Sequence, residues 1–237
     1  GKSYHTAAEQ GKIDYVYKTH HNLVEDYGLG ILNDFGGIYA APGGVCDAGN
    51  TDLKTYEDNY YVLSRVYNNL IRNGEHYYNG ANALYQDCGC ANNTWENNII
   101  YGGGELPFSH HCGIDNVSKN NIVHRTVDPL RPDLEPFHHF LATCEKNSGD
   151  PQYFENTRNI YILDHTDGFH FGRSWDRYYE DALWGAGVYP ASPSIHHNIY
   201  WSLSSENDKN QPLFPGDTNW SEWQNGGNET GSLWQDP

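Results

Sequence analysis

Asn97-Asn98-Ile99-Ile100 is followed, 23 residues on, by Asn120-Asn121-Ile122-Val123. Four more segments share the format: His21-Asn22-Leu23-Val24, Asn68-Asn69-Leu70-Ile71, Arg158-Asn159-Ile160-Tyr161 and His197-Asn198-Ile199-Tyr200. Asn forms turns and short branched apolar runs form strands, so each copy reads as a turn feeding a strand. Recurrence at about one coil's length predicts a solenoid, in which every strand pairs with its equivalents in the layers above and below. The other intervals, 47, 29, 38 and 39 residues, fit one or two coils carrying inserted loops. Asn69, Asn98 and Asn121 should then occupy equivalent corners, their amides forming a ladder and the strands after them sharing one parallel sheet. An irregular sandwich in which Asn-Asn-Ile recurs by chance is the weaker alternative, because no long segment of helical period separates the copies.

The expected fold is all-β, a right-handed parallel β-helix with inserted loops and an irregular C-terminal cap. Residues 1–205 form the coils, with loops at 40–58 and 127–151. Residues 206–237 lack the Asn-turn format and are expected to pack on the coils as an irregular extension. A chain of 237 residues with 25 Gly, 19 Tyr and 37% hydrophobic residues has the turn-rich composition of such a domain.

The formal charge of −17, from 31 acidic against 14 basic residues, makes nucleic acid and anionic membranes poor partners. It also disfavours polyanionic glycans, so a neutral polysaccharide or oligosaccharide is the expected partner. No stretch has the eighteen or so apolar residues of a membrane span. The chain contains no Met, and it reads as a piece of a processed, secreted precursor. Another segment of that precursor, or a second chain, should cap an open end of the solenoid. Sequons at Asn92, Asn116, Asn219 and Asn228 are candidate glycosylation sites consistent with secretion. Of the five cysteines, Cys88 or Cys90 is placed to bridge to Cys112 in the next coil.

Three segments gather ionisable groups beside Gly turns: Asn33-Asp34-Phe35-Gly36-Gly37-Ile38-Tyr39, Ala83-Leu84-Tyr85-Gln86-Asp87-Cys88-Gly89 and Phe108-Ser109-His110-His111-Cys112-Gly113-Ile114-Asp115-Asn116. Stacked coils are about 4.8 Å apart, so Asp34, Asp87 and His111 could share one groove. Glycoside hydrolysis needs two carboxyl groups about 5 to 9.5 Å apart, a separation that one or two layers supply. Taken singly, each Asp beside Gly has the simpler reading of a turn cap. Four His-His pairs raise the question of a metal. Neighbours on a strand point to opposite faces, and no regular His spacing is present, so neither a metal site nor a cofactor is expected.

The order NDFGGIY, ALYQDCG, NNTWENNIIY, SHHCGIDN and SKNNIV resembles right-handed β-helix proteins of the pectate-lyase-like superfamily. More narrowly it is similar to the β-helix glycoside hydrolases of α-fucosidase or xylanase type. The resemblance implies a glycoside hydrolase with Asp34 and Asp87 as the carboxylate pair and His111 beside them. Tyr85, His110 and Asp115 are expected to bind substrate, Tyr85 because it shares a strand face with Asp87. The chain departs from the family pattern at Ser109 and Cys112, which bears on the identity of the sugar. The competing expectation is a non-catalytic extracellular protein that uses the groove to bind glycan, or the solenoid as a rigid rod. A polysaccharide lyase would call for Lys or Arg near a uronate, and the three segments contain neither.

Overall fold

The computed structural model describes residues 17–28, 35–40, 64–74, 81–86, 93–103, 106–110, 116–125, 139–143, 154–163, 170–173, 194–203, 219–226 and 230–235. They form three sheets in which every pairing is parallel. The first sheet holds β1 (Tyr17–His20), β4 (Ser64–Tyr67), β7 (Asn93–Glu96), β10 (Asn116–Lys119), β13 (Phe154–Thr157) and β16 (Ser194–His196). The second holds β2 (Leu23–Glu25), β5 (Leu70–Gly74), β8 (Ile99–Gly103), β11 (Ile122–Arg125), β14 (Ile160–Leu163), β17 (Ile199–Ser202) and β18 (Leu233–Gln235). The third holds β3 (Phe35–Ala40), β6 (Ala81–Gln86), β9 (Leu106–His110), β12 (His139–Thr143) and β15 (His170–Arg173). The chain visits the sheets in the same order on each pass, an arrangement consistent with a parallel β-solenoid.

The corner between the first and second sheets explains the Asn format. The first residue of each pair is left-handed: His21, Asn68, Asn97, Asn120, Arg158 and His197 have φ between 55° and 57°. Asn tolerates that region better than most residues because its short amide can bond locally. The second residue carries the ladder. Asn69 Nδ2 donates to Asn98 Oδ1 at 2.9 Å, Asn98 Nδ2 to Asn121 Oδ1 at 3.0 Å, and Asn121 Nδ2 to Asn159 Oδ1 at 3.0 Å. Each oxygen also accepts the backbone N–H of the rung below, so one side chain satisfies two buried donors.

One inward row of the second sheet runs Ile71, Ile100, Val123, Tyr161 and Tyr200, all fully buried. It meets Val66, Trp95 and Ile195 from the first sheet and Leu84 and Phe108 from the third. At the β17–β18 end the aliphatics give way to rings: Tyr161 stacks on Tyr200 at 5.4 Å, and Tyr200 lies 5.6 Å from Trp220. Trp220 and Trp223 enter this core from α1 (Trp220–Asn225), which starts at a capping box between Asn219 and Glu222.

The tail is more regular than its sequence suggests. Thr230 bridges to His196, and β18 pairs in parallel with β17. Gly231, with φ 73°, takes the left-handed position, and Ser232 Oγ accepts the Asn198 backbone N–H at 2.7 Å. A Gly-Ser pair thus does the work of Asn-Asn, and residues 230–235 add a seventh rung.

Candidate functional site

The strands that lead into the three ionisable segments are neighbours. β3, β6 and β9 lie side by side in the third sheet, with Tyr39 opposite Tyr85 and Gln86 opposite His110. β6 and β9 therefore end at the same register position, and the chain runs from there into Asp87 and His111. Phe35, the residue after Asp34, pairs with Ala81 at the other end of the strands, and Ala40 pairs with Gln86. Five residue steps at about 3.3 Å put Phe35 and Gln86 roughly 16 Å apart along the sheet. Asp34, Asp87, His111, Asp115, Asn92, Asn228 and all five cysteines lie outside the described residues. The backbone of His110 is the final residue of β9.

Tyr85 is not available to stack on a sugar in this chain: it is 2% exposed, whereas its register partner Tyr39 is 46% exposed. The two rings meet edge to face at 4.9 Å. Tyr39 is thus the ring that this pair of strands presents to solvent. The sequence reading favoured Tyr85 for its spacing from Asp87, but spacing along a strand does not tell whether its face is covered.

Asn116 is likewise a poor glycan acceptor. It is fully buried, and its Oδ1 accepts the backbone N–H of Asn93 at 3.1 Å in a short second ladder on the first sheet. An acceptor amide must reach solvent. Asn219 is partly exposed, with its Oδ1 committed to the Glu222 backbone N–H at 3.0 Å.

On the outer side of the first sheet a charged row runs across three layers. Lys119 lies opposite Glu96 in register, its Nζ 3.5 Å from one carboxylate oxygen, while Arg65, opposite Thr94, reaches diagonally to make a short ion pair with the other. Glu96 is only 6% exposed, so two cations compensate one buried carboxylate. The Arg65–Glu96 contact is diagonal, two residues off the strand register, so the Asn repeat does not reveal it.

Two of the four His pairs, His20–His21 and His196–His197, lie among the described residues and depart from strand alternation. His21 and His197 sit in the left-handed turn, so each folds back on its neighbour, and the Nδ1 atoms are 2.7 Å apart in both His20–His21 and His196–His197. The spacing is that of a hydrogen bond. Thr157 Oγ1 lies 3.0 Å from His196 Nδ1, and Glu155 Oε1 lies 3.4 Å from its Nε2. Among the described residues no group of three or more His, Cys, Asp or Glu is arranged to hold a metal ion.

Comparison of the chain with protein-family models, curated proteins and solved structures returned no match.

Proposed function

We propose that the protein is an extracellular, carbohydrate-active, right-handed parallel β-helix that hydrolyses a neutral glycan at the third sheet. Right-handedness is the rule for crossovers between parallel strands of one sheet. The observation that supports the functional reading is the adjacency of β3, β6 and β9, strands that each overlap one of the three ionisable segments. Gln86 and His110, the residues before Asp87 and His111 in the sequence, are register partners, which supports a carboxyl group and an imidazole acting on one substrate. The strongly acidic chain favours an uncharged glycan. A screen of the protein against fucosylated, xylan-type and other neutral glycans, read by reducing-end release, tests it. Release from none of them overturns the hydrolase.

A second reading, glycan binding without hydrolysis, draws on the separation of Phe35 from Gln86. A two-carboxylate mechanism needs about 5 to 9.5 Å, so Asp34 and Asp87 can cooperate only if a flanking segment turns back along the strands. Retention of glycan with no product, unchanged in Asp34→Asn, is the outcome of that reading.

A further inference from the structure

The outer side of the second sheet carries two rows of side chains on opposite sides of the inward row. One is aliphatic from end to end, running in register from Leu23 on β2 to Leu233 on β18, both more than half exposed. In the other, Tyr101 on β8 is 45% exposed and Trp201 on β17 is 39% exposed, three layers apart. His124 on β11 lies between them, its ring 5.0 Å from that of Tyr101. Across β8, β11, β14 and β17 neither row contains an ionised carboxylate, Lys or Arg, although the chain has 31 acidic residues. The first charges met along the second row are Arg72 and Glu25, paired with each other at the β2–β5 end. Leu23, Ile99, Tyr101, Trp201 and Leu233, each 39% exposed or more in so acidic a protein, form a patch that needs an occupant.

The geometry points to a binding platform for an uncharged polysaccharide chain on this face, separate from the third sheet. The shape decides among occupants. Seven layers about 4.8 Å apart give a strip roughly 29 Å long, and two rows two residues apart give a width of about 7 Å. The area is on the order of 200 Å², well short of the roughly 800 Å² per partner that a stable protein interface buries. A second copy would also bring another −17 charge. A glycan chain is narrow, carries no charge, and offers C–H faces to aromatic rings and hydroxyls to the Tyr101 phenol and Trp201 indole N–H. Fixed strands hold these rings in a line before the ligand arrives, which lowers the entropy cost of binding.

This inference does not depend on hydrolysis at the third sheet. The test is retention of the chain by insoluble cellulose and insoluble xylan, with Tyr101→Ala, Trp201→Ala and Ile99→Glu compared with the unaltered protein. The expected result is retention by at least one polymer, weakened roughly tenfold by each ring removal and abolished by the added charge, with melting temperatures unchanged. Ile99→Glu keeps the test decisive should a ring variant fold poorly. Retention that none of the three alters, or no retention by either polymer, overturns the platform. A dimer in sedimentation analysis that the same substitutions dissociate assigns the face to a second copy and also overturns it. Reducing-end release from short soluble oligosaccharides should be the same in all three variants, which separates this face from the third-sheet site.

Discussion

Asn98 and Asn121 stand 23 residues apart in the chain and amide to amide in the fold, the Asn98 Nδ2 donating to Asn121 Oδ1 at 3.0 Å and its backbone N–H to the same oxygen at 2.9 Å. Asn98 also donates to the Val66 carbonyl at 2.9 Å and accepts from Asn69, so four hydrogen bonds converge on one buried side chain. Asn98→Ala is therefore expected to cost about 3 kcal/mol, because the Asn69 backbone N–H, the Asn69 side-chain amide and the Val66 carbonyl lose a partner together. Asn22, at the exposed end of the ladder, should cost only about 1 kcal/mol when changed to Ala. Urea denaturation of the two variants checks the difference; equal losses would contradict the ladder's buried role.

Tyr27 packs against the core with its hydroxyl enclosed and without a hydrogen-bond partner among the described residues. A Cβ added to Gly74 would collide with Tyr27 Cζ and Oη, so Gly74→Ala should destabilise by about 1–3 kcal/mol. The loss should shrink in a Tyr27→Ala background, and a double-mutant cycle measures the coupling.

Burial pushes the Tyr27 phenol above its ordinary value near 10. The neutral form is favoured in the fold and the anion only in the unfolded chain. Its contribution to stability is whole below about pH 10 and falls as pH rises above it. Tyr27→Phe removes a buried, unpaired hydroxyl and should leave stability at pH 7 unchanged or raised while flattening this alkaline loss. Thermal melts between pH 7 and 11 read both effects.

Tyr39 and Tyr85 touch each other but should fail differently. Tyr85→Ala, at a nearly closed position, is expected to cost about 3 kcal/mol of stability. Tyr39→Ala should leave the melt within about 0.5 kcal/mol and weaken binding of oligosaccharide at the third sheet. Calorimetric titration beside a thermal melt distinguishes the two.

What could be read in advance depended on how locally each feature is encoded. The ladder is legible because a buried two-way amide selects Asn at the second position of all six corners, and the left-handed residue before it is Asn in three of them. Its last rung escaped notice because Gly231 and Ser232 meet the same demands with different chemistry. The His20–His21 and His196–His197 pairs depart from strand alternation because φ turns positive at His21 and His197. The neighbouring strands of the third sheet follow from the repeat, since Phe35–Ala40, Ala81–Gln86 and Leu106–His110 occupy one position in successive coils. The fate of Tyr85 does not follow from it, because burial depends on what covers the face.

The most direct test of a hydrolytic third sheet is reducing-end release from the best neutral oligosaccharide by Asp87→Asn, with Asp34→Asn and His111→Ala alongside. An amide keeps the shape of the carboxylate but can neither exchange a proton nor attack. Asp87→Asn is therefore expected to lower kcat by at least about 100-fold with an unchanged melt, and His111→Ala by less. Asp87→Asn with undiminished turnover would contradict the account.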